Sequence, residues 1–118
     1  MLDYVWVFEV NQAMAWECDP NYGRVDDILE QLTKSKSLHI LMVLDRANST
    51  VRFSDLKNAV DASSTTVSRR LKELEDFGLV EKVVVDESSS QIEYCATQDT
   101  KLLSPIMQSL YDWVANRQ

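Results

Sequence analysis

The chain has 118 residues, 45% of them hydrophobic and 26% charged, a composition ordinary for one globular domain with a real core. Its formal net charge of −7 is unfavourable for a nucleic-acid binder, because attraction to phosphate supplies much of the affinity in that class. No apolar run approaches the roughly 20 residues that span a bilayer, and the N-terminus shows no secretory signal, so we expect a cytoplasmic protein without a membrane partner.

The cysteine and histidine content gives no sign of a metal or disulfide framework. Cys18 and Cys95 are the two cysteines, and neither they nor the single histidine has the spacing of a zinc site. The sequence also lacks a nucleophile–base–acid set and a phosphate-binding loop. We therefore predict a protein that is not an enzyme and holds no metal or cofactor.

The first predicted segment is an N-terminal arm, residues 1–23. Residues 4–10 are β-branched and aromatic, which favours a strand, whereas residues 11–17 lean helical, and both alternatives stay open. The two Trp residues of this arm indicate burial, against the chain's own core or against a second subunit. Residues 18–23 combine Asp, Pro, Asn and Gly, which predicts a turn.

Two helices follow in the prediction. Residues 24–33 repeat apolar side chains at the i, i+3, i+4, i+7 spacing of an amphipathic helix. Residues 37–46 are apolar most of the way round, which is typical of a buried helix. After them, residues 51–53 are predicted as a short extended piece.

The helix predicted over residues 63–77 is the centre of the pattern. Ser63 suits the N-cap, because its hydroxyl can accept a bond from a free N–H of the first turn, and Gly78 can end the helix without a Cβ penalty. At about 100° per residue its side chains form two faces. The apolar face comprises Val67, Leu71 and Leu74, and the polar face comprises Thr65, Arg69 and Lys72.

A short helix is predicted just before it, over residues 54–60, with Ser54 as its cap. Short helix, tight connection and polar-faced helix form a helix-turn-helix pattern, although a helical hairpin without function has the same pattern. Outward hydroxyls and arginines suit a DNA major groove. Residues 34–85 carry nine Lys and Arg against seven Asp and Glu, a net charge of +2, whereas the segments on either side are acidic.

Two predicted strands come next. Residues 79–85 are rich in Val, residues 91–96 alternate in polarity, and the polar residues 86–90 lie between them as a turn. A hairpin directly after a recognition-type helix is a wing, and it favours the helix-turn-helix interpretation over the plain helical hairpin.

A last helix is predicted from a cap at Thr97 or Asp99 to about Arg117. Its apolar residues repeat at i, i+3/i+4, i+7, and Pro105 is expected to bend or delay it. The apolar stripe predicts pairing with a second copy or packing along the chain's own domain, and the pattern does not decide between them.

Four motifs in this order resemble the HxlR-type winged-helix transcriptional regulators, relatives of the MarR-type proteins. They are Phe-Ser-Asp-Leu at 53–56, the recognition-type helix and first wing strand at 63–80, Ile-Glu-Tyr-Cys-Ala-Thr at 92–97, and Leu-Leu-Ser-Pro-Ile at 102–106. The resemblance implies a mainly α fold with a small β-hairpin wing, that is, a winged helix-turn-helix with flanking dimerisation helices. It also implies a homodimeric regulator that binds double-stranded DNA.

The resulting domain prediction has three parts. Residues 1–23 form the arm, residues 24–97 the DNA-binding domain, and residues 98–118 a C-terminal dimerisation helix. The resemblance and the helical wheel place polar and basic side chains at DNA: Ser64, Thr65, Thr66, Ser68, Arg69, Arg70, Lys72, Lys82 and Ser89.

The wheel separates the two arginines of the recognition helix. Arg69 points straight out, as expected of a base contact, and Arg70 lies to the side, as expected of a phosphate contact. The plain alternative is a solvated face held by the i, i+4 pairs Arg69–Glu73 and Lys72–Asp76, each contributing about 0.2–0.5 kcal/mol.

Three departures from the family's pattern concern wing contacts and effector sensing. The wing tip, residues 86–90, is acidic and then neutral, where a basic tip would suit phosphate. Residues 34–39 replace the family's Gly-Gly-Lys-Trp type signature, and the N-terminal arm is not recognisable. The acidic tip and net charge motivate an alternative function, a winged-helix module that binds protein and not DNA.

Three single residues complete the expectations. Cys18 lies where some family members place a redox-sensing thiol; the nearby helix start would lower its pKa, while the flanking acids Glu17 and Asp19 oppose this. Cys95 is predicted to be a small buried hydrophobe, and His39 a core or partly exposed side chain. A small-molecule or redox effector stays open.

Overall fold

The structure, a computed structural model, describes residues 19–117, in two compact units of which the first ends at Glu30 and the second begins at Gln31. The predicted strand or helix in residues 1–17 and the proposed sensor Cys18 lie outside the described residues. Among residues 19–117, none of the helices combines the length and the apolar character that a bilayer span requires.

The first helix, α1, spans Pro20–Leu32, so the turn predicted over residues 18–23 is wrong from residue 20 onward. Pro20 takes the first helical position, where its missing N–H is not needed and its fixed φ suits the helix. The Asp19 carboxylate accepts the backbone N–H of Asn21 at 2.9 Å, and the Asp19 carbonyl accepts that of Tyr22 at 2.9 Å. These turn-forming residues therefore start the helix instead of preceding it.

The second unit contains the winged helix-turn-helix, in the predicted order of elements. After residues 33–36 come α2 (Ser37–Ala47), β1 (Val51–Arg52), α3 (Phe53–Val60), α4 (Ser64–Asp76), β2 (Val80–Asp86), β3 (Gln91–Ala96) and α5 (Gln98–Ala115). The fold is mainly α with a small antiparallel sheet, as predicted.

Three helices bury one another's apolar faces and form the core. The fully buried apolar side chains of α2, α3 and α4 are Ile40, Leu41, Leu44, Leu56, Val60, Val67 and Leu74, and Leu71 is nearly so. Each such side chain contributes about 1.5–3 kcal/mol on leaving water. The predicted apolar face of α4 is thus confirmed, and its burial fixes which side of α4 points outward.

The wing is a three-stranded sheet in the order β1-β3-β2, one strand more than the predicted hairpin. The extended piece before α3 pairs antiparallel with β3, with Val51 opposite Tyr94. β2 pairs with the other edge of β3, with Val80 opposite Ala96. This third strand fixes the wing to the body of the domain at the start of α3.

The capping predictions for α3 and α4 have different outcomes. Ser63 is confirmed, since its Oγ accepts the Thr66 N–H at 3.1 Å, and Gly78 has φ +87°, the left-handed conformation expected after α4. Ser54 is not a cap, because α3 begins at Phe53 directly after β1 and the position before it, Arg52, makes no side-chain cap bond. Strand pairing thus moved the start of α3 one residue earlier.

Helix α5 begins at the predicted cap Thr97, whose Oγ1 accepts the Thr100 N–H. Pro105 lies inside the helix and does not delay its start. Two hydroxyls in the first turn of α5 bond to the backbone between α4 and β2. Thr97 Oγ1 donates to the Gly78 carbonyl at 2.8 Å, and Thr100 Oγ1 donates to the Leu79 carbonyl at 2.6 Å. These bonds tie the beginning of α5 to the end of α4.

Candidate nucleic-acid interface

Five of the predicted DNA-contacting side chains line one open groove along the outer face of α4. The groove encloses about 630 Å³ and is lined by Ser64, Thr65, Ser68, Arg69 and Lys72 together with Phe53 of α3. All five α4 side chains are exposed. The buried face formed by Val67, Leu71 and Leu74 turns them outward, so the groove follows from the amphipathic pattern of the helix.

The two cationic side chains that line this groove, Arg69 and Lys72, differ in their partners. Within residues 19–117 the Arg69 guanidinium has no ion-pair or hydrogen-bond partner, so the predicted Arg69–Glu73 pair is not formed. Lys72 Nζ lies 3.1 Å from Asp76 Oδ1, as predicted, and both side chains are largely exposed. An exposed i, i+4 pair of this kind contributes only about 0.3–0.5 kcal/mol, so Lys72 is readily released to a phosphate.

Thr66 belongs to the cap of α4 and does not line the groove. Its backbone N–H donates to Ser63 Oγ at 3.1 Å, and Ser63 Oγ in turn donates to Thr66 Oγ1 at 3.1 Å. The side chain is half-buried. Its direct contact with DNA therefore stays a prediction that the groove does not support.

Arg70 is also outside the groove, on the side of α4 that faces the chain before α2. Its Nε donates to the Ser35 carbonyl at 2.9 Å and its Nη1 to Glu73 Oε1 at 2.9 Å. The side chain is only 14% exposed. The wheel correctly placed Arg70 to the side of α4, but its guanidinium is bonded within the protein.

The two wing residues, Lys82 and Ser89, are exposed but do not line the groove on α4. Ser89 Oγ donates to the Asp86 carbonyl at 3.4 Å, within the turn between β2 and β3. Lys82 and Ser89 lie at different heights of the wing. Lys82 is opposite Tyr94 near the base of β2, and Ser89 lies in the turn at the tip. Any contact of these residues with DNA is separate from that of α4.

The wing tip keeps a negative charge over the whole physiological pH range. The Asp86 carboxylate accepts the Ser88 hydroxyl at 2.8 Å and the Ser88 N–H at 3.1 Å. The hydrogen bond from the Ser88 hydroxyl is the largest cause that lowers the pKa of Asp86 below its ordinary value. The Ser89 hydroxyl and the Ser88 N–H lower this pKa further. With Glu87 beside it, the tip repels phosphate and attracts basic groups.

Phe53 is the groove residue that sequence reasoning missed. The sequence predicts it in the extended piece before α3, whereas it is the first residue of α3, is half-buried and lines the groove. The sequence signal was the Phe-Ser-Asp-Leu motif, in which Leu56 enters the core. Only the packing of α3 against α4 shows that Phe53 lies beside the polar groove residues.

Cys95 and His39 form no second site within residues 19–117. Cys95 is half-buried, not fully buried as predicted, and burial, followed by the nearby Glu81 carboxylate, raises the pKa of its thiol. The raised pKa leaves Cys95 a protonated, unreactive thiol. His39 is exposed, and residues 19–117 contain no group of three or more side chains suited to a metal ion.

The chain is similar to known transcriptional regulators. The profile of the HxlR-like helix-turn-helix family matches residues 32–118. The uncharacterized HTH-type transcriptional regulator YvaP of Bacillus subtilis is 36% identical over 98 residues, 82% of this chain and 86% of that protein. The reduced form of the transcriptional regulator YodB from B. subtilis matches with a TM-score of 0.68 and 25% identity, over 81% of this chain and 90% of that one. The S. aureus MepR–DNA complex matches with a TM-score of 0.60 and 19% identity, over 81% of this chain and 82% of that one.

Proposed function

The chain belongs to the HxlR-like helix-turn-helix family of transcriptional regulators, and we propose that it binds double-stranded DNA as a homodimer. In this proposal α4 enters the major groove and the wing lies along the backbone or in the minor groove. Each subunit contacts one half of a pseudo-palindromic site, with the half-sites about 34–36 Å apart.

The observation that carries the proposal is the unpaired Arg69 among exposed hydroxyls in one groove. A free guanidinium can donate two parallel bonds to O6 and N7 of guanine, and Ser and Thr hydroxyls can bond to either donors or acceptors of a base edge. Lys72, one turn further along α4, is placed for a phosphate. The groove thus combines base-reading and backbone-binding groups on one helix face.

Phe53 adds an apolar wall to this polar groove. In the major groove the C5-methyl of thymine is the apolar group that a base pair presents, and aromatic and methyl side chains contact it. We therefore assign to the site a preference for thymine near the guanine that Arg69 contacts. Ser64, Thr65 and Ser68 line the same groove and supply the hydroxyls.

The homodimer is supported by α5. One side of this helix is fixed to the domain, since Met107 is buried and Ser104 Oγ donates to Asp45 Oδ2 at 2.7 Å. A different side exposes a stripe of large apolar side chains. They are Leu102 (68% exposed), Ile106 (65%), Leu110 (41%) and Trp113 (59%). Such a stripe is suited to pairing with a second copy.

At the level of the fold, the MepR–DNA complex supports the same function. That protein has this fold and was crystallised with DNA. Its low identity carries no residue from its site to this chain. The DNA contacts proposed for α4 therefore rest on the geometry of this chain alone.

The test is selection of duplexes from a random library with the full chain, followed by affinity measurements over a range of salt concentrations. We expect a selected duplex whose affinity falls steeply with salt. Replacing Arg69→Gln should weaken binding of that duplex by about 1–3 kcal/mol and relax the sequence preference at one position in each half-site.

The matched control is Arg46→Gln, which removes the same group from α2, where the Arg46 guanidinium stacks on the Tyr111 ring at 4.3 Å. This variant should keep the affinity and preference of the wild type. An Arg69→Gln protein that binds the selected duplex as tightly as the wild type would show that α4 does not read the bases in this way.

A second candidate function is suggested by the charge of the wing tip. Asp86 and Glu87 repel phosphate, and they would suit a basic partner protein. In this alternative the domain binds protein and not DNA. Failure to enrich any duplex at low salt would favour it, whereas a selected sequence with a steep salt dependence would exclude it as the sole function.

A further inference from the structure

Four residues form a polar cluster between α4 and the chain before α2, here called the Arg70 clasp: Lys34, Ser35, Arg70 and Glu73. Arg70 donates from Nε to the Ser35 carbonyl and from Nη1 to Glu73 Oε1, each at 2.9 Å. Lys34 Nζ lies 3.8 Å from the other carboxylate oxygen, Glu73 Oε2. The planar guanidinium thus joins a carboxylate on its own helix to a backbone carbonyl 35 residues away.

The acceptor side of the clasp is itself held in place. The Ser37 N–H donates to the Lys34 carbonyl at 3.0 Å, and Lys36 has a left-handed backbone with φ +72°. This turn leads directly into α2, whose side chains Ile40, Leu41 and Leu44 are buried in the core. The Ser35 carbonyl is therefore a fixed point relative to the core, and Arg70 ties α4 to it.

The position of Arg70 makes this bond relevant to the groove. Arg70 follows Arg69 and is rotated from it by about 100° around the helix. The buried apolar face fixes which side of α4 points outward, and holding Arg70 back against Ser35 adds a second restraint on its rotation and so on the direction in which Arg69 leaves it. Glu73, which could otherwise pair with Arg69 at i+4, is occupied by Arg70 and Lys34, and the Arg69 guanidinium stays unpaired.

We propose that Arg70 is a positioning residue for DNA recognition: through Ser35 and Glu73 it restrains the orientation that the buried face gives α4, and it keeps Arg69 free to read bases. It is not a phosphate contact. This proposal rests on the proposed function of α4. It assigns sequence specificity to a residue that does not touch DNA.

A phosphate contact and a positioning residue leave different traces in DNA binding. Losing a phosphate contact weakens binding of all sequences alike and lowers the slope of log affinity against log salt by about 1. Losing a positioning residue leaves that slope unchanged and lowers the ratio of specific to non-specific affinity. A purely structural role lowers the folded fraction and leaves the ratio unchanged, because the same folded molecules bind both duplexes.

The experiment uses the full chain, a duplex selected from a random library by the wild type, and a scrambled duplex of the same composition. For Arg70→Met we expect the specific-to-non-specific ratio to fall about tenfold, the size of losing one base contact, with the salt slope of the wild type. Lys72→Met is the matched control. It should lower the slope by about 1 and leave the ratio unchanged.

Two further variants separate charge from geometry. Arg70→Lys keeps the charge but cannot serve both acceptors, so the ratio should fall as with Arg70→Met, whereas a phosphate contact would be rescued. Glu73→Gln removes a negative charge near DNA, which by charge alone strengthens binding of both duplexes. If the clasp positions Arg69, the ratio of specific to non-specific affinity should fall in Glu73→Gln, even where the loss of charge strengthens binding of both duplexes.

The outcomes are distinct. A lowered salt slope for Arg70→Met together with rescue by Arg70→Lys would assign Arg70 to phosphate and overturn the proposal, with DNA binding by α4 intact. An unchanged ratio in Arg70→Met and Glu73→Gln would reduce the clasp to a structural contact. If the wild type selects no duplex, the proposed function fails, and the role of the clasp in recognition fails with it.

Discussion

At the scale of single residues, Arg69 and Arg70 are adjacent and have the same chemistry but different surroundings. The difference comes from partners. Arg70 reaches the carbonyl of Ser35 and the carboxylate of Glu73, whereas Arg69 has no partner within residues 19–117. A guanidinium with two hydrogen bonds at 14% exposure must break these bonds before it could bind phosphate. Availability, and not charge, therefore separates the two.

A prediction at this scale concerns Phe53 and thymine. In a duplex that the wild type selects, replacing single thymines by deoxyuridine removes the C5-methyl and no hydrogen-bonding group. At one thymine in each half-site we expect about fourfold weaker binding, since burial of one methyl group contributes about 0.8 kcal/mol. Fluorescence anisotropy titration with each substituted duplex measures this.

The thymines outside the bound region serve as controls and should tolerate the change. Because only the DNA is altered, the result does not depend on the folding of a variant. If every thymine of the selected site can be replaced without loss, Phe53 does not contact a thymine methyl, and its role is confined to packing.

At the scale of elements, α4 and the wing differ in how well they suit DNA. The outer face of α4 exposes hydroxyls, Arg69 and Lys72, whereas the tip of the wing exposes Asp86 and Glu87. The lowered pKa of Asp86 means that its carboxylate stabilises the turn at neutral pH and loses this contribution only as the pH falls toward that lowered value. The Asp86 carboxylate is therefore negatively charged at neutral pH.

We predict that Glu87→Gln strengthens DNA binding about twofold, on selected and scrambled duplexes alike, because one repulsive charge near the phosphates is removed. Titrations at low salt give the largest effect, and the gain should shrink as salt is added. Asp112→Asn, on α5, removes the same charge away from the wing and is the matched control.

Equal affinities for Glu87→Gln and Asp112→Asn would show that the wing tip does not approach DNA. Weaker binding of a basic partner protein by Glu87→Gln would support the second candidate function. Both results bear on the wing tip and not on α4, which is unchanged in both variants.

At the scale of the whole molecule, a single chain leaves the apolar stripe of α5 exposed to solvent. The apolar positions of this helix fall on two sides. Leu103 and Met107 lie toward the domain, and Ile106, Leu110 and Trp113 lie outward, joined by Leu102. Large apolar side chains exposed in a row favour association, which is the basis of the proposed homodimer.

We predict that Ile106→Lys converts the proposed dimer into a monomer, because a lysine in the middle of an apolar interface is desolvated without a partner. Gln108→Lys introduces the same side chain at an exposed position of α5 outside the stripe and should leave the dimer intact. Sedimentation velocity over a concentration series distinguishes the two. A wild type that sediments as a monomer at all concentrations would contradict the homodimer.

Local patterns in the sequence determined the order of elements and the direction of α4. The Ser63 cap, the stop at Gly78 and the spacing of Val67, Leu71 and Leu74 depend only on neighbouring residues. Such contacts lie within one or two turns of a helix, so they can be read from the chain in order. The exposed groove residues of α4 follow from the same periodicity.

Only the tertiary structure decided which of those residues are available. The bond from Arg70 to Ser35, the place of Phe53 beside the groove, the third strand of the wing and the anchoring of Thr97 and Thr100 to the end of α4 all join segments far apart in sequence. Helical periodicity gives the direction of a side chain but not what lies in that direction. That depends on how the elements pack, and packing leaves the Arg69 guanidinium exposed while it bonds the Arg70 guanidinium within the protein.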